Sequence, residues 1–183
     1  MADQPRATDR LFFVVFPDPA TAARLAHLAQ QLRCEHGLRG KVLTPERLHV
    51  ALHHVGDYVG LPDTVIAAAR EVAATVHLPA FTVAFNSVAS LRGRPDNQPF
   101  VLRGDDGHIG LTLLQRVLGE AMEKAGLGRS VAHYAPHVTL MYGDRLVADR
   151  PIKSVGWAVR EFVLVHSLLG RSCYRPMGRF RLG

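Results

Sequence analysis

Two histidines in similar short strands are the groups best placed to move protons: His49 in HVAL and His137 in HVTL. An ordinary histidine titrates at about 6.5, so near neutral pH one ring can be neutral while the other is charged. The neutral ring can take a proton from water and the charged ring can give one to a leaving oxygen. Two residues beyond His137, on the same strand face, Thr139 offers a hydroxyl to a phosphate oxygen whose charge grows in the transition state; the matching position after His49 is Ala51. In-line displacement at phosphorus suits two imidazoles on opposite sides. Ring opening of a cyclic phosphodiester needs only an activated water and a protonated leaving group, so no metal and no cofactor are expected.

For two such rings to meet, their strands must be equivalent parts of one fold, and a repeat supplies that equivalence. A helix, Gly-Leu, a basic stretch and a His-Val-x-Leu strand ending in Gly-Asp occur twice, as HGLRGKVLTPERLHVALHHVGD and AGLGRSVAHYAPHVTLMYGD. Strand alternation puts His49, Ala51 and His53 on one face, away from Leu48, Val50 and Leu52. It puts His137, Thr139 and Met141 on one face, away from Val138 and Leu140. Two related lobes, each presenting its polar face, would enclose one central cleft.

The other elements follow from periodicity. LFFVVF, Leu11 to Phe16, closed by Pro17 and Pro19, reads as a buried strand. Helices are expected from Asp18 to Gly37, from Pro62 to Val76 with Asp63 as cap, and from Ile109 to Ala125 ending at Gly126. Strands are expected at Arg47 to Val55, Phe81 to Leu91, Phe100 to Arg103, Pro136 to Tyr142, Val159 to Leu169 and Tyr174 to Leu182. This order predicts an α+β fold, largely antiparallel, with helices packed outside, in one bilobal domain over residues 1–183. The polar loop RGRPDNQP carries Arg92 and Arg94, which could reach phosphate from beside the cleft; Arg171, Arg175, Arg179 and Arg181 could meet RNA backbone.

Composition bounds the partners. The chain has 183 residues, 48% of them hydrophobic, which excludes disordered and fibrous classes. Lys and Arg number 22 against 16 Asp and Glu, for a net charge of +6, and the isoelectric point is about 9.9, favouring an anionic partner such as nucleic acid or a phosphate ester. No apolar run approaches the roughly 20 residues of a membrane span and no signal peptide is evident. Two cysteines, Cys34 and Cys173, are too few for a disulfide framework, so a reduced, cytoplasmic setting is expected. A monomer without an obligate protein partner is expected.

Two rival chemistries fail on spacing. His49/His53 and His133/His137 are each four apart, a chelating step on a helix, but on a strand such residues lie ~13 Å apart, and Pro136 opposes a helix in the second pair. Cys34 lies inside an amphipathic helix, where Glu35 and His36 are not spaced to activate it.

The motifs resemble a known family. HVTL at His137 matches the H-x-T/S-x signature of the 2H phosphoesterase superfamily, and HVAL at His49 matches it except at Ala51. The order LFFVVFPDP, ERLHVAL, PHVTL and REFVLVHSLLG is similar to that of the bacterial RNA 2′,3′-cyclic phosphodiesterases, once called 2′-5′ RNA ligases. That resemblance implies a bilobal α+β fold with His49 as proton donor to the leaving oxygen and His137 as acceptor from water. The substrate would be an RNA end or nucleotide with a 2′,3′-cyclic phosphate and the product a 2′-phosphomonoester. The substrate-binding residues would be Thr139, Ala51, His53, Tyr142, Arg92 and Arg94. Ala51 replaces the usual Thr or Ser, and Met141 and Tyr142 stand where many members carry Ala-Arg. The alternative is a basic module that binds RNA ends without turnover, its first motif degenerate.

Overall fold

The computed structural model describes residues 6–105 and 108–183. Among these residues the chain forms β1 (Asp9–Val15), α1 (Pro19–Glu35), β2 (Val50–Tyr58), α2 (Asp63–Ala73), β3 (Phe81–Ser90), β4 (Gln98–Arg103), α3 (Ile109–Lys124), β5 (Val138–Gly143), β6 (Arg150–Val159), β7 (Glu161–Leu168) and β8 (Cys173–Arg181). The strands make one sheet in the order β6-β3-β4-β5-β2-β1-β7-β8, every neighbouring pair antiparallel. The fold is α+β.

The sheet consists of two four-stranded halves with the same plan. β2 and β5 meet at the centre through a single register pair, Val50 and Val138, the residues that directly follow the two motif histidines. The repeat in sequence therefore becomes a pseudo-two-fold in space, with one HV strand on each side of the seam.

The helices cover one face. Leu25, Ala29 and Leu32 of α1, Ala69 and Ala73 of α2, and Leu111, Leu114, Leu118 and Met122 of α3 form one core with Leu11, Phe13 and Val15 of β1, Val50 and Leu52 of β2, and Val138 and Leu140 of β5. α1 starts where Asp18 accepts a 2.9 Å bond from the Thr21 amide, with Pro19 at the first helical position. It stops at Gly37, whose φ of +58° suits a residue without Cβ. On the opposite face Phe12, Val14, Val163 and Val165 form a second, smaller cluster with Phe16 and Tyr174. β1 is thus apolar on both sides, which is why its sequence runs LFFVVF without alternation.

Four expectations need correction. No strand is expected between Tyr142 and Val159, yet β6, RPIKSVGWAV, is an edge strand there, whose Pro151 and Lys153 are tolerated because no further strand among the described residues pairs beyond it. α2 begins one residue after Pro62, and Asp63 is its first helical residue and not its cap. Arg47 is not yet strand; it ends a single 3₁₀ turn, Pro45–Arg47.

The fourth correction concerns strand phase. β2 pairs Val14 with Ala51 but Phe13 with His53, so Leu52 is an extra residue in a bulge, and a second bulge falls at Val55. Residues directly opposite in an antiparallel pair share a face, so His53 lies with Phe13 on the helix side and His54 joins Phe12 on the other. β5 does the same at the matching place: Val101 pairs with Thr139 and Phe100 with Met141, leaving Leu140 extra. Met141 is consequently buried, and Tyr142 returns to the face of Thr139.

Candidate active site

The sheet face away from the helices carries a cavity of ≈ 740 Å³, which His49, Ala51, His137, Thr139 and Tyr142 all line. His49 and Ala51 come from the residue before β2 and its start, and His137, Thr139 and Tyr142 from the residue before β5 and the strand itself, so the pseudo-two-fold brings both motifs to one space. His53 borders the cavity, but its ring is only 3% exposed and Nε2 donates a 2.7 Å hydrogen bond to the Leu127 carbonyl beyond α3. The bulge, which strict alternation cannot foresee, removes its ring from the face of His49. His54 takes that place.

Arg92 and Arg94 do not line the cavity. They are exposed in the β3–β4 turn, closed by the Arg94–Asn97 bridge and a φ of 62° at Asp96, and the turn carries them past the end of the sheet. The cavity draws its arginines from elsewhere: Arg10 on β1, Arg47 before β2 and Arg103 on β4. Arg103 was legible, since it follows Val101 by two residues along a strand whose Phe100 and Leu102 are core. Arg10 was hidden because β1 shows no alternation.

The two histidines are held alike. Nδ1 of His49 lies 2.7 Å from the Arg47 carbonyl and Nδ1 of His137 lies 2.9 Å from the Ala135 carbonyl, in each case two residues upstream. A carbonyl only accepts, so Nδ1 carries the proton and Nε2 is the nitrogen left for chemistry. Their surroundings differ. Phe12, Phe16 and Tyr174 enclose His49, with ring centroids at 5.7, 6.3 and 5.6 Å. This burial pushes the His49 imidazolium below its ordinary pKa, aided by the charges of His137 and Arg47 and opposed by the Arg47 carbonyl.

Charge around the cavity is partly neutralised. Asp57 takes two bonds from Arg10, at 2.7 and 2.8 Å, and one of 2.9 Å from His54; Arg10 first, then His54, hold its carboxyl far below the usual range. Arg103 pairs with Asp149. The Tyr134 hydroxyl, raised in pKa by burial, donates to the Ala51 carbonyl at 2.8 Å and fixes the strand at its departure from the motif. Among the described residues no group of three or more His, Cys, Asp or Glu side chains is arranged to hold a metal ion.

Comparison with known proteins agrees with this architecture. Escherichia coli LigT in apo form superposes with a TM-score of 0.79 at 22% identity, covering 97% of this chain and 99% of that one. LigT complexed with 3′-AMP gives 0.75 at 24%, covering 96% and 98%. TT0787 of Thermus thermophilus gives 0.73 at 20%, covering 94% and 97%. These likenesses show a shared fold. No curated protein matches the sequence. The sequence profile of the 2′-5′ RNA ligase superfamily, however, matches residues 16–170, from the end of the first strand's apolar run to the turn before β8 and through both histidine motifs. By that match the chain belongs to the 2′-5′ RNA ligase superfamily, the 2H phosphoesterases.

Proposed function

We propose that the protein hydrolyses 2′,3′-cyclic phosphates on RNA ends or nucleotides to 2′-phosphomonoesters, with His49 and His137 as acid and base. The observation that carries this reading is the matched pair of rings, each with Nδ1 tied to a carbonyl two residues upstream and both lining one cavity. LigT, the same fold, has been solved with 3′-AMP, ATP and phosphate, which supports a nucleotide phosphate as ligand. The same reading takes the protein as a cytoplasmic monomer that needs no cofactor.

The reaction runs from water to the 3′ oxygen. Nε2 of His137 accepts a proton as water attacks phosphorus; the bond from phosphorus to O3′ breaks, and Nε2–H of His49 protonates the departing oxygen. The product is a 2′-phosphomonoester with a free 3′ hydroxyl, and the histidines have exchanged protonation states. Thr139 donates to a non-bridging oxygen as its charge grows. Arrival of the negatively charged phosphate restores the proton affinity that burial removes from His49, so the acid is loaded by its own substrate.

The test is the fate of adenosine 2′,3′-cyclic phosphate followed by ³¹P NMR. A single 2′-phosphate product is expected. The 3′ isomer would reverse the assigned leaving group, and tight binding without product would instead support the non-catalytic RNA-end-binding module.

A further inference from the structure

The pseudo-two-fold leaves the phosphate unevenly held. Thr139 offers a hydroxyl donor from β5, but Ala51 at the matching place on β2 offers only a methyl. Something else must meet the phosphate on the β2 side.

Three arginines line the cavity, and two of them have carboxylates: Arg10 with Asp57 and Arg103 with Asp149. Arg47 has neither an ion pair nor a side-chain hydrogen bond among the described residues, and its Nε is buried without a partner. Its guanidinium carbon lies 5.4 Å from the centre of the Tyr174 ring, which is itself 5.6 Å from the ring of His49. Stacking on an aromatic face attracts a cation but satisfies none of its N–H donors. A partly buried cation with open donors at a cavity wall is costly unless an anion completes it. The position corresponding to Arg47 before β5 is Ala135, so this charge belongs to one side of the seam, the side that lacks a hydroxyl.

We propose that Arg47 binds a non-bridging oxygen of the scissile phosphate, doing on the β2 side what Thr139 does on the β5 side, with Tyr174 holding the guanidinium in place. One residue then links substrate and acid, because the Arg47 carbonyl orients His49 while its side chain seats the phosphate. The inference rests on the cyclic-phosphate reading for the identity of the substrate, but requires only that a phosphate group occupy the cavity.

The experiment measures binding of adenosine 2′-monophosphate by calorimetry, beside kcat and KM on the cyclic phosphate, with thermal unfolding as the check on fold. Arg47→Gln is expected to weaken binding about tenfold to hundredfold, the effect of losing a charge-assisted hydrogen bond, and Arg47→Lys to recover part of it. Tyr174→Leu is expected to weaken binding more than Tyr174→Phe, which keeps the ring face. Ala51→Ser is expected to strengthen binding more in the Arg47→Gln background than in the wild type, a non-additivity that a merely structural arginine would not produce. A folded Arg47→Gln protein that binds and turns over as wild type would overturn the inference and leave the proposed function standing. A wild type that binds the monophosphate through Arg47 but hydrolyses nothing would do the reverse. Should Arg47→Gln not fold, equal binding by Tyr174→Leu and Tyr174→Phe would overturn it.

Discussion

At His49 the three aromatic rings packed around the imidazole also shift its proton equilibrium. Burial among Phe12, Phe16 and Tyr174 depresses the imidazolium, so in the free protein the acid form is lost as pH rises through a value below the ordinary histidine pKa of about 6.5. In the substrate complex the phosphate charge acts in the opposite direction. The alkaline limb of kcat/KM, which reports the free protein, is therefore expected below the alkaline limb of kcat, which reports the complex. Rates measured from pH 4.5 to 8.5 at constant ionic strength check this. Coincident limbs would show that substrate charge does not load His49. That His49, His137 and Thr139 face one cavity was legible from motif and repeat; the aromatic enclosure was not, because Phe12 and Phe16 sit in a run apolar on both faces.

At the scale of elements, the matched bulges at Leu52 and Leu140 decide which side chains reach the cavity. Each adds one residue to its strand, so the third alternating position, His53 or Met141, turns to the helices and the next, His54 or Tyr142, faces the cleft. Sequence alternation located both strands and the side chains that face the cavity up to the bulge, then lost phase beyond it, since no residue type there announces an insertion. The structural role of His53 makes a clear expectation. Its Nε2 ties β2 to the segment after α3, and its Nδ1 is buried without a partner, so His53→Ala removes one buried bond and leaves the Leu127 carbonyl open. A loss of about 1–3 kcal/mol in urea unfolding is expected, with kcat/KM of the folded protein within a few-fold of wild type. A large fall in kcat at unchanged stability would return His53 to the site.

Across the whole molecule, two half-sheets of one plan joined at Val50 and Val138 put an imidazole on each side of a single cavity, and the net charge of +6 biases the surface toward anions. Both features were readable from the repeat and the composition, whereas the edge strand β6 was not, because Pro151, Lys153 and Gly156 disguise a segment that pairs on one side only. A cationic cavity predicts that KM for the cyclic phosphate rises with salt while kcat changes little, as screening weakens phosphate binding. Proton transfer by side chains alone predicts no loss of rate after exhaustive chelation; loss restored by zinc or manganese would contradict it.

The most direct test of the two-histidine mechanism is single-turnover hydrolysis of a 2′,3′-cyclic nucleotide by wild type, His49→Ala and His137→Ala, each confirmed folded. Each substitution removes one proton-transfer partner and is expected to lower the rate by about 10²- to 10⁴-fold. A wild-type rate in either variant would contradict the mechanism.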